Sequence, residues 1–267
     1  MICFPNAKIN LGLHITGKNS DGYHTIETIF YPIPLTDALE AVKSEETSFR
    51  QTGMKLDSSP EDNLVMKTYN LMLKKHNIPP LDIYLIKAIP SGAGLGGGSA
   101  DAAFTLKLIN DLCECNICEK NLEKMAASIG ADCPFFIYNK PVIATGTGNI
   151  FKPTDISLKG YTIYIIKPPV TVSTKEAYSN VKPQKPDFSL EKLPSLPVKE
   201  WRYVLKNDFE PSVFKKYPVI GDIKDKLYSL GAEYAAMSGS GSSVFGLFKK
   251  TISPKFPDYF VWKGNTD

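Results

Sequence analysis

The sequence predicts an α+β fold in two lobes, and three observations carry that expectation. Near the N-terminus, two strand-like runs flank a tight-turn signal. At residues 81–89 an alternating run leads through a glycine-rich loop into good helix formers. Further strand-like runs stand on either side of a break at about residues 150–160. That break sets the expected lobe boundary, with an N-terminal lobe at 1–155 and a C-terminal lobe at 156–267. A chain of 267 residues has ample core for one large domain or two smaller lobes.

Lys8-Ile9-Asn10-Leu11-Gly12-Leu13-His14-Ile15 alternates. Ile9, Leu11, Leu13 and Ile15 fall on one face, and Lys8, Asn10 and His14 on the other, as in a half-buried strand. Asn19-Ser20-Asp21-Gly22 signals a tight turn, and residues 23–31 return as a second strand. Residues 36–42 and 48–54 read as further strands. Ser59-Pro60-Glu61-Asp62 has the form of a helix start, with a cap, a proline and then acids. The helix behind it runs to about His76, with Val65, Tyr69, Met72 and Leu73 as its apolar stripe. Pro79-Pro80 ends it.

The run Leu81-Asp82-Ile83-Tyr84-Leu85-Ile86-Lys87-Ala88-Ile89 predicts a strand. It feeds Pro90-Ser91-Gly92-Ala93-Gly94-Leu95-Gly96-Gly97-Gly98-Ser99-Ala100, where five glycines fall within seven residues. A helix over about residues 102–109 follows. Strand, glycine loop and helix start together form a phosphate-binding arrangement. Glycine permits positive φ and close backbone approach. The first N–H groups of a helix point outward at an anion, and the macrodipole favours negative charge there. Backbone N–H groups of residues 94–99 are the ones expected to face phosphate. A Gly-x-x-x-x-Gly-Lys loop is excluded because no lysine follows the glycines. Gly92-x-Gly94-x-x-Gly97 matches a dinucleotide fingerprint, but that fold needs a second strand and an acidic residue about 20 positions on. Asp111-Leu112-Cys113-Glu114 reads as helix instead. Ser99 heads the helix, where it can cap it or contact phosphate and metal, and one role does not exclude the other.

A helix over about 120–129 stops at Gly130, directly before Ala131-Asp132-Cys133-Pro134-Phe135-Phe136. Residues 142–146 and 161–166 read as strands. The proline-rich stretch 183–197 reads as loop, and 208–216 and 221–230 as helices. Met237-Ser238-Gly239-Ser240-Gly241-Ser242-Ser243 is a second glycine loop, followed by a strand over 244–248. There is no internal repeat and no low-complexity tract.

Apolar content of 43% and charged content of 22% are those of a soluble globular chain. A net charge of +3 without a basic stripe argues against nucleic acid and for an anionic small substrate. No apolar run approaches the roughly 20 residues of a membrane span, and no secretory leader is evident. Five cysteines are an odd number, which disfavours a disulfide framework and suits a cytoplasmic protein. Cys113-x-Cys115-x-x-Cys118 invites a metal reading but lacks a fourth ligand, since His14, His24 and His76 lie elsewhere. The other reading is a reduced cluster at a helix end.

Three motifs stand in order: Pro5-Asn6-Ala7-Lys8-Ile9-Asn10-Leu11-Gly12-Leu13, the Pro90 loop, and Gly231-x5-Met237-Ser238-Gly239-Ser240-Gly241. Together they resemble the superfamily of galactokinase, homoserine kinase, mevalonate kinase and phosphomevalonate kinase. Gly17-x3-Asp21-Gly22-Tyr23-His24 and Gly130-Ala131-Asp132-Cys133-Pro134-Phe135-Phe136 narrow the resemblance to the family of 4-diphosphocytidyl-2-C-methyl-D-erythritol kinases.

That resemblance implies a two-lobed small-molecule kinase fold with its active site in the cleft between lobes. It implies ATP and Mg2+ as cofactors. The implied reaction moves the γ-phosphoryl group to the 2-hydroxyl of a cytidine-diphosphate-linked methylerythritol, in the non-mevalonate route to isoprenoid precursors. Asp132 would accept the hydroxyl proton, and Lys8 would pair with it and polarise the hydroxyl. Residues 90–100 would bind the ATP phosphates, with Asn63 and Lys87 on the adenine side. Asn10, Tyr23, His24, Thr174 and Tyr178 would bind substrate, Tyr23 and His24 gripping cytosine and Tyr178 forming a second wall. The expected partner is a small molecule, neither nucleic acid nor membrane, for a monomer or homodimer. Other readings are another alcohol kinase of the superfamily, of homoserine or mevalonate type, and a non-catalytic nucleotide-binding protein on the same fold. The resemblance runs from residue 3 to about 248. Family members usually finish with another helix, which Ser253-Pro254-Lys255-Phe256-Pro257 cannot continue.

Overall fold

A computed structural model describes residues 1–20, 22–55, 62–179 and 181–266. In chain order come β1 (Ile2–Cys3), β2 (Asn6–Lys18), β3 (His24–Thr36), β4 (Ala38–Lys43), β5 (Ser48–Gly53) and α1 (Leu64–Lys75). Then follow β6 (Leu81–Lys87), α2 (Gly97–Leu112), α3 (Glu119–Ala127), α4 (Cys133–Tyr138), β7 (Val142–Thr145), β8 (Ile150–Pro153) and β9 (Tyr161–Lys167). The remainder holds α5 (Thr174–Ser179), α6 (Trp201–Val204), α7 (Glu210–Lys216), α8 (Pro218–Ser229), β10 (Tyr234–Met237), β11 (Val244–Phe248) and β12 (Phe260–Thr266).

The chain divides into two compact units whose segments interleave along the sequence. One unit comprises Met1–Ala7, Leu35–Ser91 and Gly96–Lys140. The other comprises Lys8–Pro34, Gly92–Leu95 and Pro141–Asp267. The boundary expected near residue 155 falls inside the second unit, in the connection from β8 to β9.

In the first unit a four-stranded sheet has the order β1-β4-β6-β5. β4 runs antiparallel to β1 and β6, and β5 runs parallel to β6. Register sets Leu39 opposite Leu85 and Ala41 opposite Ile83, so one face is apolar and buried. α2 packs on β4 and against α1 and α4. The expected cap residues Ser59, Pro60 and Glu61 lie outside the described residues. The helix itself begins at Leu64, where the Asn63 side chain accepts from the Val65 N–H at 2.9 Å. Val65, Thr68, Tyr69 and Met72 are buried, whereas Leu73 is 48% exposed and lies outside the stripe expected to hold it. The short helix α4 is absent from the sequence reading; six residues are too few to show a helical period.

The second unit holds two four-stranded sheets, β2-β3-β7-β8 and β10-β11-β9-β12, apart from the outer ends of β2 and β3. Asp21 lies outside the described residues, but the bonds Asn19 N–H to Tyr23 O and Gly22 N–H to Asn19 O close the expected turn at 2.7 and 3.0 Å. β2 corrects the half-buried expectation: every residue from position 7 to 15 is buried, polar ones included. α8 begins at Pro218, three residues before the expected start, with proline at its first position. The stretch 183–197 is not plain loop. It contains a 3₁₀ turn at Leu190–Ser195, and another follows at Val198–Glu200, with Leu190, Leu193 and Val198 buried. The unaccounted tail forms β12, which pairs antiparallel with β9 from Phe260 opposite Lys167 to Thr266 opposite Tyr161. No helix among the described residues is long and apolar enough to cross a membrane.

Candidate active site

The glycine loop starts where β6 ends and closes where α2 begins. The first intrahelical bond is donated by the Ala100 N–H to Gly96 O at 2.9 Å. The N–H groups of Gly97, Gly98 and Ser99 therefore open the helix without a helical acceptor. Gly96 is the N-cap at φ +72°, offers no side chain to cap them, and no acid stands in the first turn. An uncapped helix N-terminus of this kind favours negative charge. Ser99 is the third helical residue and so does not head the helix; its hydroxyl lowers the Cys133 thiol, which burial pushes up to about 11. Gly94 has φ +74°, and a Cβ there would stand 1.9 Å from Ser238 O. The Ser238 hydroxyl donates to Gly94 O at 2.8 Å, and the Ser243 N–H to Ala93 O at 3.2 Å. The two glycine loops, 144 residues apart in sequence at this bond, are thus held together.

Lys87 and Asn63, expected on the adenine side, both have partners within the protein. Lys87 is buried, and its ammonium donates to Asp37 and, at 2.7 Å, to Asp101 of α2. The other oxygen of Asp37 accepts the N–H groups of Ala88 and Ile89 at 2.6 and 2.8 Å. Asp101 is pushed up to about 7, first by burial; Asp37 adds to the rise and the Lys87 ammonium opposes it. One Asp101 oxygen, Oδ1, is buried without a hydrogen-bond partner. Asn63 uses its carbonyl to cap α1 and its amide to reach Gln51 at 3.2 Å.

On β2, Lys8 is 4% exposed. Its ammonium donates to Asn10 Oδ1 at 2.6 Å and stands 4.8 Å from the centre of the Phe30 ring. The Asn10 amide donates to the Thr28 hydroxyl at 3.0 Å, and that hydroxyl donates in turn to Gly12 O. This chain of bonds decides which end of the Asn10 amide faces Lys8. The Lys8 N–H also bonds Leu95 O at 2.9 Å, joining β2 to the glycine loop.

His24 stacks on Tyr178 with ring centres 4.8 Å apart, and Phe209 meets Tyr178 edge-on at 4.8 Å. Burial, and then the charge of Lys18, lower the His24 imidazole below its usual range. Tyr23 is 68% exposed. The Thr174 hydroxyl lies 3.4 Å from that of Ser240, in the second glycine loop. Asp132 is half-buried and precedes α4 without capping it through its side chain. It belongs to the first unit and Lys8 to the second.

Residues 63–140 match the family described as GHMP kinases N terminal domain, and residues 198–255 that described as GHMP kinases C terminal. A 4-diphosphocytidyl-2-C-methyl-D-erythritol kinase of Parabacteroides distasonis is 60% identical over 268 residues, covering 99% of each chain. This chain belongs to that kinase family. A kinase of the same name from Bacteroides fragilis is 58% identical over 93% of this chain and 92% of its own. A crystal structure of 4-(cytidine 5'-diphospho)-2C-methyl-D-erythritol kinase superposes with TM-score 0.79 at 30% identity, covering 92% of this chain and 90% of that one. The chain is an ATP-dependent small-molecule kinase of α+β fold.

Sequence reasoning missed Asp37, Asp101, Thr28 and Asn207. Asp101 carries a visible sign, a carboxylate amid small residues of a helix that packs on a sheet. Asn207 shows none in sequence, yet its amide donates to Met237 O and Gly239 O at 2.9 and 2.8 Å and shapes the second loop. The cysteines 113, 115 and 118 are free thiols, and no cluster of three or more metal-binding side chains occurs among the described residues.

Proposed function

We propose that this kinase transfers the γ-phosphoryl group of ATP to the 2-hydroxyl of 4-diphosphocytidyl-2-C-methyl-D-erythritol, a step of the methylerythritol phosphate route to isoprenoid precursors. The observation that carries the reading is the 60% identity to a kinase of that name across 99% of both chains. The uncapped start of α2 supports ATP phosphates at the glycine loop.

The chemistry needs a base, charge compensation and positioning. Asp132 takes the proton of the 2-hydroxyl as its oxygen bonds the γ-phosphorus and the bond to the β-phosphate oxygen breaks. Lys8 offsets negative charge at the attacking oxygen, with Asn10 fixing its ammonium. Asn63 and Lys87 serve the nucleotide, and Tyr23, His24, Thr174 and Tyr178 the cytidine substrate. A ring wall already exists where His24 stacks on Tyr178. Magnesium accompanying ATP would neutralise phosphate charge; no cluster of three or more metal-binding side chains among the described residues is built to hold it apart from the nucleotide. Free cysteines and a net charge of +3 support a cytoplasmic enzyme working on small anions.

The test is ADP formation with ATP and a panel of alcohols: the cytidylyl substrate, methylerythritol without cytidine diphosphate, homoserine and mevalonate. Turnover is expected with the first alone. Equal activity on methylerythritol would overturn the substrate assignment, and activity on homoserine or mevalonate would move the enzyme within its superfamily.

A further inference from the structure

The strand before the glycine loop and the helix after it are joined through one buried ammonium. Lys87 closes β6, and its side chain is 3% exposed, as is that of Asp101. Asp37, whose side chain is wholly buried, lies in the step from β3 to β4. One of its oxygens takes the Ala88 and Ile89 N–H groups, the first two amides beyond β6. Without that oxygen, two backbone donors would be left unsatisfied. Its other oxygen takes the Lys87 ammonium, which also reaches Asp101, 14 positions further on. A methyl group added to Gly97, the first helical residue, would lie 3.3 Å from Lys87 Nζ. The ammonium therefore sits against the backbone that opens the helix. For Lys87 to reach a base in solvent, two buried acidic side chains would have to give up their shared ammonium partner, which is unfavourable.

We infer that Asp37, Lys87 and Asp101 are positioning residues that fix both ends of the phosphate-binding loop, and that Lys87 acts on ATP through this loop rather than at the adenine ring. The inference rests on the reading that the glycine loop binds the ATP phosphates. Asp37 sets the path out of β6, Asp101 sets the rotation of α2, and Lys87 ties them. Together they aim the Gly97, Gly98 and Ser99 N–H groups.

Inorganic tripolyphosphate separates the two roles of Lys87, because it carries the phosphates and no adenine. The full chain and its variants are titrated with ATP and with tripolyphosphate by calorimetry. The variants are Lys87→Met, Asp37→Asn and the triple Lys87→Met/Asp37→Asn/Asp101→Asn. The triple variant keeps shape while removing all the buried charge, so it guards against a single variant that fails to fold. Each folded variant is expected to lose at least about tenfold in affinity for both ligands, the scale of one charge-assisted hydrogen bond. The KM for the alcohol should stay unchanged. A loss for ATP with tripolyphosphate binding intact would place Lys87 at the adenine and overturn the inference. So would a triple variant with a lower melting temperature and active fraction but unchanged affinity for both ligands. Gly96→Val tests the loop separately: if it binds both ligands like the parent chain, the loop reading itself fails, whatever the Lys87 variants do.

Discussion

Lys8 holds its ammonium almost out of water, between an amide oxygen and an aromatic face. An ammonium donating to the Asn10 amide oxygen at 2.6 Å is held in a fixed orientation, and fixed positive charge of this kind stabilises negative charge that develops in phosphoryl transfer. If Asp132 is the base, Asp132→Asn keeps the shape and removes proton acceptance. Turnover should then fall about 10²–10⁴-fold. ATP affinity should barely change if, as proposed, the glycine loop holds the phosphates. Lys8→Met should behave similarly, and the double variant should be little worse than either single one, since groups acting as a unit are not additive. Steady-state kinetics check this; near-normal turnover of Asp132→Asn would remove Asp132 as base. Asp101 makes a prediction of another kind. Its carboxyl is pushed up to about 7 in the folded chain, against about 4 for an unperturbed Asp. Between those values the folded state keeps a proton that the unfolded chain has released. The associated stability is full below about pH 4 and is lost as pH rises through about 7, by up to about 1.4 kcal/mol per pH unit. Asp101→Asn does not titrate, so its melting temperature should gain on the parent's between pH 5 and 8. A constant difference across that range would show that Asp101 ionises normally.

Elements with strong periodicity or glycine punctuation were legible from sequence, and those set by tertiary pairing were not. The β6–loop–α2 unit needs mostly local chemistry, so strand, glycines and helix came in the expected order, although the helix starts at Gly97, inside the glycine run and five residues before the expected start. β2 had the right position and the wrong environment. Alternation suggested one wet face, yet Lys8, Asn10 and His14 are 4%, 2% and 5% exposed. Polar residues on a strand can be buried when hydrogen bonds satisfy them, and a sequence pattern cannot tell those from solvated ones. β12 was illegible for another reason. Its Lys263, Gly264 and Asn265 are poor strand formers, and the strand exists because β9 offers an unpaired edge beyond β11. In the site, contiguous motifs were readable, while Asp37 and Asp101 become partners of Lys87 only across 50 and 14 residues of chain.

At the scale of the whole molecule, the interleaved path has a testable consequence. The core of the second unit joins Leu13, Ile15 and Ile26 to Tyr164, Ile166, Phe209, Val213, Ile223 and Val244. Those first three come from β2 and β3, more than 130 residues before the strands they pack with. Backbone bonds seal the junction: Leu13 N–H to Lys206 O and Asp208 N–H to Leu13 O at 2.9 Å each, and Gln184 N–H to Ile15 O at 2.9 Å. A fragment cut at the expected boundary, residues 156–267, lacks Leu13, Ile15, Ile26 and these backbone bonds. Losing three buried aliphatic side chains alone forfeits about 1.5–3 kcal/mol each. That total approaches the roughly 5–15 kcal/mol by which a whole domain is stable. The fragment should therefore show no cooperative thermal transition by circular dichroism and little near-ultraviolet signal from its buried tryptophan and tyrosines. A sharp melt of residues 156–267 on their own would mean that this core closes without β2 and β3, and the interleaved assignment of the units would be wrong.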